Sequence, residues 1–369
     1  MLVLVLDYIQ TVGWSAMQVL VVNPGSTTTK LAIYSLSGPL AEKTITHKTK
    51  MLTAFPDVPF QLAARLDDVS SALREAGTNL SSVSAVVARG GLIRPVEPGI
   101  YRVTPRMLED LRAQVQGPHA SNLGGLIADA IAGKMGIPAY VVDPVSCDQF
   151  HPLARLSGLP EIPRKSLSHA LNIRATMRLA SFELNCDRET VNYVAAHLGG
   201  GISIAAVEGG RIIDANNANE QGPFSPERTG ELPAREVAEI AFSGNFSKDR
   251  LIAKFLGQGG LVAYLGVSNA KEIETRIAAG DEYAGLIFEG MAYQIAKEIG
   301  AMASVLSGDV KAILICGGLA SSELLVSMIR ERVSFIAEVR AYPGEREMES
   351  LAKGAFRALL GEEEVKTYG

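Results

Sequence analysis

The chain repeats itself, and that limits the folds open to it. Ala85-Val86-Val87-Ala88-Arg89-Gly90-Gly91-Leu92 is answered by Ala312-Ile313-Leu314-Ile315-Cys316-Gly317-Gly318-Leu319, an apolar strand pattern that runs into two glycines each time. Ahead of the first copy, apolar runs at 19–22 and 31–34 flank Asn23-Pro24-Gly25-Ser26-Thr27-Thr28-Thr29-Lys30. Ahead of the second, runs at 193–196 and 202–207 flank His197-Leu198-Gly199-Gly200-Gly201, with Gly199 in the place of Gly25. Each half reads as a Gly-tipped hairpin, then a helix, then a buried strand ending in Gly-Gly. Apolar strands ending in glycine are common in α/β proteins. Two paired echoes in the same order point instead to a duplicated domain, and the period is too long for a solenoid.

The tips carry the first chemical hint. A turn of Gly, Ser and Thr gathers backbone N–H groups and hydroxyls at one point, and Lys30 adds positive charge, which suits a polyphosphate. Alone, 23–30 could equally be an ordinary polar turn, and it lacks the spacing of a P-loop. With 369 residues, 47% hydrophobic and 20% charged, the chain is long enough for about two domains. A net charge of −5 without long like-charge runs argues against nucleic acid or a membrane as partner. Cys147, Cys186 and Cys316 are scattered and not in metal-ligand spacing, which fits a reducing cytoplasm. Residues 1–16 stand apart: the apolar run stops at Asp7, too short to span a bilayer, and no basic residue precedes it. Met17 reads as the more natural start. Residues 1–16 are then a non-native or extended segment, the other reading being an extra N-terminal strand or arm.

Further along, Leu62, Leu66, Val69 and Leu73 recur at helical spacing over 61–76, with Gly77 ending the helix. A small-residue helix opens after Gly117-Pro118-His119-Ala120-Ser121-Asn122-Leu123-Gly124-Gly125 and runs through Lys134. Residues 139–142 form a strand ending in Asp143-Pro144, Ser166 is a plausible N-cap for a helix to about Phe182, and 283–306 is one long helix. The expected domains are 17–150 with 349–369, and 151–348.

Two such halves can face each other across a cleft, as in the acetate and sugar kinase, heat-shock and actin superfamily. Within it, the chain resembles the acetate, propionate and butyrate kinases from Met17 to near the C-terminus. The resemblance is carried by 23–30 and by Ala88-Arg89-Gly90-Gly91, Pro118-His119-Ala120-Ser121-Asn122-Leu123-Gly124 and Arg164-Lys165-Ser166-Leu167-Ser168-His169-Ala170-Leu171-Asn172. It is carried also by His197-Leu198-Gly199-Gly200-Gly201-Ile202-Ser203 and Pro223-Phe224-Ser225-Pro226-Glu227-Arg228-Thr229-Gly230. The set in order is specific, and any single member is weak. The Asn-Pro form of the first loop is similar to the butyrate kinases. The resemblance implies two duplicated actin-like (ribonuclease H-like) α/β domains facing across a nucleotide cleft. It also implies reversible, Mg2+-dependent phosphoryl transfer between ATP/ADP and a short-chain carboxylate, and a homodimer or higher homo-oligomer.

Such a reaction needs positioning and positive charge more than a base, because a carboxylate of pKa about 4–5 is already ionised at neutral pH. Arg89, at a strand end beside two glycines, reads as an inward-facing ligand; by resemblance it holds the substrate carboxylate and the phosphoryl group. Arg228 reads as an ordinary solvated loop arginine until the resemblance makes it a stabiliser of transition-state charge. His169, expected in the first turn of the helix capped by Ser166, is either a surface residue or, by resemblance, the stabilising histidine. His197 and His119 are each either site residues or props for their turns. Asn23, Ser26, Thr28 and Lys30 match the first phosphate loop, and Gly199, Gly200 and Gly201 the second. Gly317 and Gly318 would support the adenosine. Asp143 and Glu347 are the Mg2+ candidates: Asp143 could equally be a strand cap, and Glu345 and Glu349 compete with Glu347.

One departure from the acetate kinases bears on specificity. Those have a Val-Val-His-like insert between the arginine and the Gly-Gly, and one of its apolar residues helps close the acetate pocket. Here Gly90 follows Arg89 directly, which predicts room for butyrate or a branched four-carbon acid. An acetate or propionate kinase is the nearest alternative. A non-catalytic actin-like nucleotide switch is the alternative from another class.

Overall fold

The computed structural model describes residues 17–48, 52, 55, 57–76, 80–344 and 346–369. The segment 1–16, the helix stop at Gly77 and the competing Glu345 lie outside the described residues. The strands are β1 (Gln18–Pro24), β2 (Thr28–Ser35), β3 (Gly38–Thr46), β4 (Val83–Arg89), β5 (Ile100–Arg102), β6 (Ala139–Val142), β7 (Tyr193–Leu198), β8 (Ile202–Glu208), β9 (Arg211–Ala215), β10 (Ala312–Gly317), β11 (Val339–Pro343) and β12 (Val365–Thr367). The helices are α1 (Leu62–Glu75), α2 (Pro105–Ala113), α3 (Asn122–Met135), α4 (Ala170–Glu183), α5 (Ala234–Phe242), α6 (Lys248–Gly257), α7 (Gly260–Leu265), α8 (Ala270–Ala278), α9 (Glu282–Val305), α10 (Glu323–Val333) and α11 (Glu347–Leu359).

The chain divides into two compact units, Met1–Cys147 with Arg346–Gly369, and Asp148–Glu345. The duplication expected from the echoes is plain in the sheets. In the first unit β1, β2 and β3 form an antiparallel meander, β4 lies parallel to β1, and β6 parallel to β4. In the second, β7, β8 and β9 form the meander, β10 lies parallel to β7, and β11 parallel to β10. The strand orders are β12-β5-β6-β4-β1-β2-β3 and β11-β10-β7-β8-β9. The first sheet thus adds β5 and β12 at one edge.

Central strands covered on both faces read as continuous apolar runs, and β4 and β10 are buried along nearly their whole length for this reason. The edge strand β3 is exposed and carries Glu42 and Lys43, charges that discourage edge-to-edge pairing. One face of the first sheet packs on α1, α2 and α3 through Leu20, Val22, Val86, Ala88, Val69, Leu111 and Ile127. The other face of β1 and β4 is covered by α11. In the second unit, α9 and α10 cover the face bearing Val194, Ala196, Ile313 and Ile315, and α4 packs against β7 and β10. Phe288, Met291, Ile295 and Ile299 of α9 are fully buried, each contributing about 1.5–3 kcal/mol by area transfer.

Close approach, rather than chain flexibility, explains the glycines where α3 meets β4. A Cβ on Gly124 would lie 2.2 Å from the Arg89 carbonyl oxygen, a fixed backbone atom. That contact lets α3 sit against the end of β4 and so sets where Arg89 leaves the sheet. Gly133 of the same helix has open space around its Cβ position. Gly124→Ala should therefore cost on the order of 1–3 kcal/mol by overpacking, whereas Gly133→Ala should be neutral or stabilising by up to about 1 kcal/mol. Urea denaturation of the two variants checks this; equal effects would contradict the packing argument.

Candidate functional site

In the first unit the site is built at the carboxyl ends of β1 and β4 and the N-terminus of α11. Val22 registers with Ala88 across the parallel pair, so Asn23 and Arg89 follow on the same face, the one α11 covers. Glu347 is the first residue of α11. Its carboxylate accepts from Asn23 Nδ2 at 2.6 Å and from Arg89 Nη1, which lies 3.2 Å from Oε1 and 3.4 Å from Oε2. Asn23 and Glu347 are buried, at 5% and 8% exposure. The candidates 23, 89 and 347 thus meet in one cluster. Glu349 instead pairs with Lys353 at 2.6 Å on the outer surface of the helix.

Asp143 follows Val142, which registers with Arg89. It is buried, has φ of 39°, and its Oδ1 accepts from Gly99 N at 3.0 Å while its own N–H donates to Gly99 O at 3.0 Å. It ties the start of β5 to the end of β6. Gly90 and Gly91 are tightly packed: a Cβ on Gly90 would meet Pro144 at 2.4 Å, and one on Gly91 would meet Asn122 at 2.5 Å. Any room for a longer acyl tail therefore does not open at those two α-carbons. His119 Nδ1 lies 2.7 Å from Ser121 Oγ and accepts from Ser121 N at 3.1 Å, which braces its turn.

The tip of the first hairpin, Gly25–Thr27, exposes Ser26 and Thr27. Lys30 registers opposite Asn23 in the antiparallel pair, so the two share a face, and Thr28 is on that face too. Thr29 points the other way into a buried network that sequence reasoning missed. Its Oγ1 lies 2.8 Å from His47 Nε2, and His47 Nδ1 lies 2.8 Å from Asp68 Oδ2. Because the carboxylate only accepts, the proton belongs on Nδ1 and the Thr29 hydroxyl donates to Nε2. Arg65 of α1 closes the network on the tip itself, with Nη1 donating to Gly25 O at 2.9 Å and Nη2 to Ser26 O at 2.9 Å.

In the second unit, His169 and His197 stack with ring centroids 4.1 Å apart and planes 21° apart. His197 is the last but one residue of β7 and registers opposite Ser203, whose hydroxyl lies 2.9 Å from His169 Nδ1 and accepts from His169 N at 3.3 Å. This double tether corrects the expected helix start. Ser166 does not cap α4; the helix begins at Ala170 and His169 itself occupies the N-cap position. The chain is held at Ser203 before it can turn helical. His169 therefore stands ahead of the helix and not within its first turn. Cys316 Sγ lies 3.7 Å from His197 Nδ1 on the far side.

Arg228 is not the solvated loop arginine its local sequence suggests. A Cβ on Gly201 would lie 2.3 Å from Arg228 Nη1, so the guanidinium rests on the second hairpin tip. Its loop is fastened there by Ser225, whose Oγ donates to Gly200 O at 2.6 Å and accepts from Arg228 N at 3.1 Å. Gly317 has φ of 93°, and a Cβ there would meet Leu198 O at 2.4 Å. Only glycine suits both the left-handed backbone and the contact. Beside it, Gly318 lines an open groove of about 470 Å3 with Asn269, Lys271, Glu274, Ser321 and Ser322.

A family model described as the acetokinase family matches residues 169–354. A protein named "Probable butyrate kinase 2" from Caldanaerobacter subterraneus subsp. tengcongensis is 52% identical over 352 residues, covering 95% of this chain and 99% of that one. The chain belongs to the acetokinase family. It is a phosphotransferase directed at a carboxylate, using ATP and ADP. Another member, the butyrate kinase 2 of Clostridium acetobutylicum, is 44% identical over the same share of the two chains. Among solved structures, acetate kinase from Porphyromonas gingivalis has a TM-score of 0.76 at 17% identity, covering 92% of this chain and 99% of that one. A propionate kinase from Francisella tularensis has the same TM-score at 16% identity, covering 92% and 98%. These two likenesses speak to fold: the acetokinase family's pair of actin-like α/β halves. No helix among the described residues is long and apolar enough to cross a membrane.

Burial holds His47 below the ordinary histidine pKa of 6.5, against the pull of Asp68. A base with a lowered folded-state pKa leaves the unfolded chain binding more protons just below 6.5. Its share of stability is complete above that pH and drains as pH falls through it. His47→Gln removes this slice of pH dependence. The stability gap between wild type and His47→Gln should shrink on acidification from about pH 7.5 to about 5.5. Chemical denaturation at each pH measures it; a constant or growing gap would contradict the assignment.

Proposed function

We propose that this chain is a butyrate kinase. It moves the γ-phosphoryl group of ATP reversibly onto butyrate, or a branched short-chain fatty acid, by direct in-line transfer. The observation that carries this reading is the 52% identity to a protein named butyrate kinase 2 over 99% of that protein's length. The geometry of each unit supports it. No step needs a base, because the acceptor carboxylate is already ionised. What is needed is fixed positive charge.

Arg89 is assigned to the substrate carboxylate and the transferring group. Its ion pair with Glu347 holds the guanidinium in place before substrate arrives. His169 is assigned to the phosphoryl oxygens, its ring fixed by Ser203 and by stacking on His197. Arg228, seated on Gly201, meets charge developing at the second tip. Asn23, Ser26, Thr28 and Lys30 serve the first phosphate loop, and His197 with Gly199, Gly200 and Gly201 the second. The groove beside Gly317 and Gly318 takes the adenosine.

Mg2+ fits the donor set. It binds through one or two carboxylates and keeps its waters and the phosphates as further ligands. Glu347 would hold it, with Asp143 as the second candidate. Bound there, it would neutralise phosphate charge. A cytoplasmic homodimer or higher homo-oligomer belongs to the same reading; among the described residues Cys147, Cys186 and Cys316 form no disulfide, which suits a reducing compartment.

Trapping the product tests the proposal. With ATP, butyrate and hydroxylamine the wild type should form the hydroxamate of an acyl phosphate. Arg89→Ala and His169→Ala should each lose on the order of 100-fold or more in kcat while remaining folded. Near-normal turnover in either variant removes that residue from the mechanism. ATP binding without any hydroxamate would favour the nucleotide switch.

A further inference from the structure

Arg65 lies outside every motif that carries the family resemblance, yet its side chain is bonded mainly to the first hairpin tip. It is 1% exposed. Nη1 donates to Gly25 O at 2.9 Å, to Thr28 O at 3.2 Å and to Thr29 Oγ1 at 3.3 Å. Nη2 donates to Ser26 O at 2.9 Å, and Gln61 Oε1 accepts from Nη2 at 2.9 Å and from Nε at 3.1 Å. A guanidinium buried on carbonyls is costly, since its charge is desolvated and, among the described residues, no carboxylate is in direct contact. Burial lowers its pKa, and only the more distant Asp68 opposes this.

The contacts have a directional consequence. In a trans peptide the N–H points opposite to the C=O, and no cis peptide occurs among the described residues. Drawing the carbonyls of Gly25 and Ser26 onto Arg65 turns the N–H groups of Ser26 and Thr27 away from it. Ser26 and Thr27 are exposed. The planar fork is what reaches several carbonyls at once; an ammonium is a point charge without that geometry.

We propose that Arg65 is a positioning residue for nucleotide phosphate. It aims the tip's N–H groups outward as anion donors and sets a buried positive charge behind them. The inference rests on the reading of this tip as a phosphate loop. A purely structural role would weaken folding without favouring one nucleotide over another, so the ratio of affinities is decisive.

The experiment measures ATP, ADP and AMP affinity by calorimetry for the wild type, Arg65→Lys, Arg65→Ala and Gln61→Ala. In folded Arg65→Lys and Arg65→Ala, ATP should weaken about tenfold or more, the loss of one or two charged hydrogen bonds' worth of donors. AMP should change by less than about twofold and the KM for the carboxylate should hold, since neither depends on the tip. Millimolar guanidinium should restore part of the ATP affinity of Arg65→Ala and do nothing for the wild type. Gln61, half-buried and holding Arg65 from behind, keeps the test alive if the Arg65 variants do not fold. Gln61→Ala should show the same pattern at smaller amplitude. An ATP to AMP affinity ratio unchanged in the variants that fold, or ATP and AMP weakening together, overturns the proposal. A wild type that binds ATP but makes no acyl phosphate would overturn the kinase reading and leave this inference standing.

Discussion

The carboxylate of Glu347 is the tie that holds the first unit's candidate site together. It joins the end of β1, the end of β4 and the start of α11 through Asn23 and Arg89, residues far apart in sequence. Burying such a group is unfavourable unless its charge is met. Here it is met three ways: by the guanidinium, by the amide, and by the N-terminus of α11, where the helix dipole favours an anion. Removing either side-chain partner would unfasten its own strand end from the anchor and leave only the other tied to α11. That anchor holds the Arg89 side chain, long and flexible at a strand end, in one direction.

The second unit repeats the construction with a different chemistry. As α11 packs on β1 and β4, α4 packs on β7 and β10. As Glu347 stands at the N-terminus of α11, His169 stands at the N-terminus of α4. Duplication has kept the place and changed the group, an acid in one unit and an imidazole in the other. The hairpin tips differ in their support as well. The first is held from beneath by a buried guanidinium, and the second by a serine and an arginine from its own following loop. In each tip a side chain from another part of the unit donates to a tip carbonyl.

The duplicated core was legible because buried central strands are written as apolar runs and their ends as glycines; β4, β6, β7 and β10 stand where those runs stand. The long helix α9 was legible for the same reason, its buried stripe sustained over many turns. The four helices from Ala234 to Ala278 were not, since they are short and α5, α6 and α8 are largely exposed. Ser166 misled because a cap preference is local, while the start of α4 is set by a hydrogen bond to a distant strand. Arg228 was legible only through its motif, because its contact with Gly201 is tertiary. Arg65 did leave a trace. It falls three residues after Leu62 and four before Val69, on the apolar stripe of α1, where a charged residue needs a buried partner. What could not be read was that the partner would be a set of carbonyls.

The acceptor proposed for this kinase is a four-carbon acid. The most direct measurement is kcat/KM across the straight-chain acids from acetate to valerate, with isobutyrate alongside. Apolar pockets discriminate one methylene by only about 1–3 kcal/mol, so a broad profile is expected. The maximum should fall at butyrate or isobutyrate. A maximum at acetate would contradict it.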